Sequence, residues 1–188
     1  MTILDGKKTA QDLKEEIKVA VSKIKKNGKR PHHLAAVLVG DDGASLTYVG
    51  SKVRSCDYVG FDSTLIKLDE STTEETLLKK IDELNQDDQL DGYIVQLPLP
   101  KHIDEEKILL AIDPTKDVDG FHPSNFGRMS LEMDAFIPAT PFGIIELLER
   151  YNMTSSYNYT MLARGFNIVS LQKLYNTKGG SRNKGIHF

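Results

Sequence analysis

Leu34-Ala35-Ala36-Val37-Leu38-Val39 is a continuous apolar run, with no polar alternation, closed by Gly40. A strand with one wet face alternates apolar and polar residues. An unbroken run instead predicts a strand buried on both faces, inside a parallel sheet covered by helices. The flanking sequence supplies the cover. Leu13, Ile17, Ala20, Val21 and Ile24 recur at helical spacing over about 7–27, with Gly28 as the stop. Leu46, Val49, Val53 and Cys56 form the apolar stripe of a second helix over about 44–59. A strand is predicted at Thr64–Leu68, and then a helix capped by Thr73 with Leu77, Leu78, Ile81 and Leu84 inward. Gly92–Gln96 reads as a third strand, bounded by Pro98 and Pro100. Asp104 opens a helix carrying Ile108, Leu109 and Ile112, and Thr140 is expected to cap a last helix through about 151, with Pro141 at its first position.

This alternation predicts an α/β domain over residues 1–150, a parallel sheet with helices on both faces. Ligands of such sheets bind beyond the carboxyl ends of the strands. Charge marks a change after that point. Residues 1–150 carry 19 Lys/Arg and 27 Asp/Glu, whereas 151–188 hold Arg164, Lys173, Lys178, Arg182 and Lys184 and no acid. A basic segment can contact nucleic acid, but basic and aromatic residues are not interleaved here as RNA recognition requires, so nucleic acid is not the expected partner. Residues 151–188 are read instead as an atypical tail. Cys56 is the lone cysteine, no apolar stretch is long enough to span a bilayer, and the first residues lack a signal-peptide pattern. A cytoplasmic protein is expected.

Four polar side chains converge on the predicted cleft. Tyr48 and Lys52 lie one helical turn apart and share a surface patch. The ring can stack on a flat ligand while the amine acts at its edge, since burial can bring a lysine amine into the range of a base or proton relay. The alternative is a lysine stem lying along a half-buried Tyr. Gln96 ends an apolar strand, where a buried amide needs partners for both its oxygen and its nitrogen; it orients Lys52 or a ligand, or it bonds to a turn. Pro98 and Pro100 stiffen the loop that follows. Asp117-Val118-Asp119-Gly120 is an Asx-type turn, or it presents Asp119 to paired N–H groups of an amino-pyrimidine edge. Pro138-Ala139-Thr140-Pro141 is a helix entry that can also bring rigid backbone against a ligand. No phosphate-binding glycine loop is present, and the five histidines lack metal-ligand spacing. No metal is expected.

Taken in order, Ala44-Ser45-x-x-Tyr48-Val49-x-x-Lys52, Gln96-Leu97-Pro98-Leu99-Pro100-x-His102, Lys116-Asp117-Val118-Asp119-Gly120 and Pro138-Ala139-Thr140-Pro141-x-Gly143 resemble the bifunctional methylenetetrahydrofolate dehydrogenase/methenyltetrahydrofolate cyclohydrolases. The resemblance covers about residues 1–150. It implies oxidation of 5,10-methylenetetrahydrofolate with NADP or NAD, followed by hydrolysis to 10-formyltetrahydrofolate, in cytoplasmic one-carbon metabolism that feeds purine biosynthesis. Tyr48 would stack along the folate, Lys52 would be the catalytic lysine, Gln96 would tune it and Asp119 would anchor the pterin edge. Val95, Leu97, Pro98, Pro138, Pro141 and Gly143 would complete the folate site. Ala139 stands where many relatives carry Cys.

The family continues into a Rossmann domain opened by a Gly-Arg-Ser-x-x-Val-Gly loop. Here Ala163-Arg164-Gly165-Phe166-Asn167-Ile168-Val169-Ser170 displaces those glycines and the serine, leaving Arg164, Asn167 and Ile168 as remnants of the nucleotide site. The expectation is a truncated, frame-shifted or diverged end with the second domain largely missing, poor binding of NAD(P), and at most folate binding with weak cyclohydrolase activity. A non-catalytic folate- or partner-binding remnant is the alternative. The family's homodimer is implied for relatives, and a monomer is expected for this chain.

Overall fold

The computed structural model describes residues 3–131 and 133–153. Three parallel strands, β1 (His33–Val39), β2 (Asp62–Leu68) and β3 (Gly92–Val95), form a sheet in the order β2-β1-β3. The continuous apolar run occupies the central strand, where both faces need apolar side chains. Ala35, Val37 and Val39 point into a core with Leu77 and Ile81 of α3 (Glu74–Gln86) and Ile108 of α4 (Glu105–Ala111). Ala36 points the other way, with Ile94, against Val49 and Val53 of α2 (Gly43–Val59). α1 (Gly6–Lys26) packs outside α2. The sheet is thus covered on both faces, as the absence of alternation requires.

Local signals explain most of the boundaries. The Thr73 side chain accepts from the Thr76 N–H, and Asp104 accepts from the N–H groups of Glu106 and Lys107. Each satisfies donors that the first helical turn leaves open. Gly60 ends α2 in the left-handed conformation at φ +89°, a common helix stop. Leu46, assigned above to the apolar stripe of α2, is instead exposed, because it lies in the first turn.

Two expectations need correction. Thr140 does not cap the last helix: α6 runs Ala139–Arg150, Pro138 stands at its N-cap without a side-chain hydrogen bond, and Thr140 lies inside it. The helix starts earlier because the fixed φ of Pro138 already orients the chain. The second is an element the periodicity did not reveal, α5 (Pro123–Ser130). Only Phe126 and Met129 mark its apolar side. His122 provides its cap through Nδ1, which accepts from the Ser124 N–H at 3.1 Å. Residues 154–188 of the charge-marked tail, including Arg164, Asn167 and Ile168, lie outside the described residues.

α6 is tied to α1. The Arg150 guanidinium donates to both carboxylate oxygens of Glu16 at 2.8 Å and to Glu146 at 2.9 Å. The Asp5 N–H donates to the Tyr151 hydroxyl at 3.0 Å. The end of the described chain is thereby pinned to its beginning.

Candidate functional site

All the polar residues singled out above lie where a parallel sheet opens to ligands. α2 follows β1 and carries Tyr48 and Lys52. Gln96 directly follows β3, and its N–H still donates to Val37 O at 2.9 Å. Asp117 pairs with Tyr93 in a single parallel bridge, so Asp119 lies just past a further strand-like end. The structure brings the four side chains together. Lys52 Nζ lies 3.6 Å from Asp119 Oδ1, an ion pair rather than a hydrogen bond, and 5.0 Å from the centre of the Tyr48 ring. Tyr48 is 59% exposed, which leaves its ring available as a platform.

A cavity of about 270 Å³ opens beside them. Three stretches line it, Val95 to Leu97, Asp119 with Phe121, and residues 138–141, together with Tyr48 from α2. Lys52 is not among its lining residues and reaches it through Asp119 and Tyr48. Pro98 is exposed beyond a cis Leu97–Pro98 peptide, and Gly143 is exposed on α6; neither lines the cavity. Ala139 and Thr140 line it as part of the Pro138–Pro141 segment expected to face a ligand, whereas Phe121 lines it without having been assigned a role from the sequence. For Phe121 a signal existed: it directly follows the turn that carries Asp119.

Two acceptors at the cavity stand out. The Gln96 amide donates through Nε2 to Leu97 O at 2.7 Å, leaving Oε1 as the one buried side-chain atom without a hydrogen-bond partner among the described residues. A buried acceptor left so is costly, by about 1–3 kcal/mol, and such an atom points to a donor brought from elsewhere. Asp119 is the second acceptor. Burial raises its pKa from 3.8, and the nearby Asp117 adds to this, while Lys52 opposes it. A carboxylate held at that disadvantage gains from any ligand N–H that reaches it. Cys56, on the inner side of α2, is buried and its thiol pKa pushed up, which makes it core rather than chemistry. Among the described residues no cluster of His, Cys, Asp or Glu could hold a metal ion.

The positions of these side chains depend on one close contact. Gly120 has φ +68°, and a Cβ there would lie 2.8 Å from both Ile137 C and Pro138 N. The turn bearing Asp119 therefore rests directly on the backbone that leads into the Pro138–Pro141 wall. Only glycine allows both the conformation and the approach.

The catalytic-domain model of the tetrahydrofolate dehydrogenase/cyclohydrolases matches residues 4–119. The chain belongs to this family. It is 67% identical over 169 residues to the bifunctional protein FolD of Flavobacterium johnsoniae, an alignment covering 90% of this chain and 57% of that protein. The structure resembles that of the bifunctional enzyme FolD of Campylobacter jejuni with a TM-score of 0.82 and 39% identity, covering 94% of this chain and 63% of that one. A similar match, with a TM-score of 0.79 and 42% identity, joins it to a 5,10-methylenetetrahydrofolate dehydrogenase of Bombyx mori, over 81% of this chain and 52% of that one. The chain thus spans little more than half the length of the FolD proteins it matches. The family match contains Tyr48, Lys52, Gln96 and Asp119 and ends at the last of them, so the Pro138–Pro141 wall lies beyond it.

Proposed function

We propose that the described domain binds a tetrahydrofolate derivative in the cavity and supports hydrolysis of 5,10-methenyltetrahydrofolate to 10-formyltetrahydrofolate. The observation that carries this reading is the pair of acceptors, orphaned Gln96 Oε1 and half-buried Asp119, beside an amine and an exposed aromatic ring. A reduced pterin offers what they lack: a flat ring whose amino-pyrimidine edge presents N–H donors. Asp119 takes that edge through paired, charge-assisted hydrogen bonds. Tyr48 lies along the face of the ligand. The apolar floor of Val95 and Leu97 and the wall of Pro138 and Pro141 exclude water from the rest of the ring system.

The methenyl carbon is cationic and amidine-like, so a lone ammonium beside it would oppose binding. Pairing Lys52 with Asp119 leaves the two with no net charge at rest, which removes that objection. Once the ligand edge engages Asp119, the amine turns to Gln96 Oε1, the buried acceptor that lacks a donor. A cation brought next to an amine favours loss of the amine's proton, and the resulting lone pair accepts a proton from the attacking water. Water oxygen bonds to the methenyl carbon, the bond from that carbon to N5 breaks, and one proton leaves to solvent.

The oxidative half of the family's reaction needs NADP or NAD. The described residues carry no glycine-rich phosphate loop, so nothing among them fits the nucleotide, and we propose that hydride transfer is not a property of this domain. A second reading, folate binding without turnover, is favoured by the position of Lys52 outside the cavity lining. Lys52→Met separates the two. Proton transfer by a positioned side chain is worth about 10²–10⁴ in rate, so loss of methenyl absorbance should slow by at least about 100-fold while tetrahydrofolate still binds. Hydrolysis unchanged by the substitution would leave binding alone.

A further inference from the structure

Asn125 lies on α5, outside every motif discussed above, and does not line the cavity. It is nevertheless 3% exposed, as is Asp117, and the two are bonded: Asn125 Nδ2 donates to Asp117 Oδ2 at 3.0 Å and to Pro114 O at 2.9 Å. The same Asp117 carboxylate accepts the Gly120 N–H at 3.1 Å through Oδ1 and the His122 N–H at 2.8 Å through Oδ2. The backbone on the C-terminal side of Asp119 is therefore wrapped around one buried carboxylate. On its N-terminal side, Lys116 O accepts from the Tyr93 N–H at 2.9 Å. Lys116 Nζ donates to Leu84 O and Asp87 O at the end of α3.

A buried carboxylate without a cation is costly unless its oxygens are saturated by donors. Asn125 is the one side-chain donor among the three that satisfy Asp117, and its second bond anchors it to Pro114 O. Remove it, and Oδ2 keeps only the His122 N–H; the carboxylate is then free to rotate out of the turn, and Gly120 and His122 lose their common acceptor. Asp119, at the crest of that turn, moves with them.

We propose that Asn125 is a positioning residue, which through Asp117 holds the Asp119 carboxylate at the cavity. The inference rests on the folate reading and deepens it. The experiment is a double-substitution cycle on the full chain, with tetrahydrofolate under nitrogen as the probe and NMR-detected titration to reach weak affinities. Asn125→Ala should weaken binding about tenfold in the parent background and less than about twofold beside Asp119→Ala, because positioning is worthless without the group positioned. General structural damage would weaken both backgrounds alike, and that result, or unaltered affinity in the parent background, overturns the proposal while the folate reading stands. A parent chain that does not bind tetrahydrofolate overturns both. Should Asn125→Ala fail to fold, the isosteric Asp117→Asn enters the same cycle with the same expected pattern.

Discussion

Gly120→Ala tests the joint on which the cavity rests. Two independent costs follow from the geometry. At φ +68° an L-residue pays for the left-handed conformation, about 1–2 kcal/mol. The new methyl also meets Ile137 C and Pro138 N at 2.8 Å and Phe136 O at 2.9 Å, all backbone atoms. Ordinary contact begins near 3.4 Å, so the segment must withdraw by about 0.6 Å, and such overpacking costs about 1–3 kcal/mol. Together the loss is about 2–5 kcal/mol, a large share of the roughly 5–15 kcal/mol that holds a domain folded. Urea unfolding measures it. With a slope of about 1–3 kcal/mol per molar for a small domain, the midpoint should fall by about 1–2 M with the slope unchanged. Tetrahydrofolate affinity should fall too, because the withdrawal separates Asp119 from the Pro138 wall. Gly127→Ala is the control. Gly127 lies inside α5, exposed and with nothing within 4 Å of a Cβ, so alanine there should stabilise by up to about 1 kcal/mol. A Gly120→Ala midpoint equal to the parent's would refute the reasoning about the joint.

Two further predictions concern pH. Arg150 holds the Glu16 carboxyl below its ordinary 4.5, so this pair stabilises the fold at neutral pH and the contribution disappears as pH falls through the depressed value. Glu16→Gln should lower Tm near neutrality by the equivalent of less than about 1 kcal/mol, since the pair is partly exposed, and the gap should close in acid; a gap that persists at low pH would show the loss is not electrostatic. Asp119 behaves with the opposite sign. Its carboxyl is raised above 3.8 by burial, so its contribution is greatest when protonated and is lost as pH rises through the raised value. Asp119→Asn should therefore raise Tm near neutrality while weakening tetrahydrofolate binding, and a lower Tm at neutral pH would mean the Lys52 ion pair outweighs burial.

The layout of the domain was legible locally. An apolar run without alternation can be buried only between two layers, and the helical stripes of α1, α2 and α3 name those layers. Thr73 and Asp104 announce their helices because capping is a contact between a side chain and the backbone two or three residues on. Signals of that range survive in sequence. α5 was not legible, since it is short, has two apolar residues on one side, and is capped by a histidine imidazole rather than by a residue type that commonly marks a helix start. The start of α6 was misplaced for a related reason: Pro138 orients the chain by its ring, without a side-chain cap to read.

Which polar residues gather beside the cavity was also readable, once their motifs were taken as a set. What no local pattern contains is the cavity itself. Its lining comes from the end of β3 and the residues after it, from the Asp119 turn and from residues 138–141, and the last two meet because Gly120 lets two backbones touch. The pairing of Lys52 with Asp119 spans 67 positions in the chain, and the Asn125–Asp117 bond that steadies the turn begins on the helix the periodicity missed. Helical stripes, caps and unbroken apolar runs are patterns among near neighbours, so the sequence alone determined most of the elements; the placement of an amine, a carboxylate and an orphaned amide oxygen around one cavity arises from packing between distant segments, and only the tertiary structure decided it.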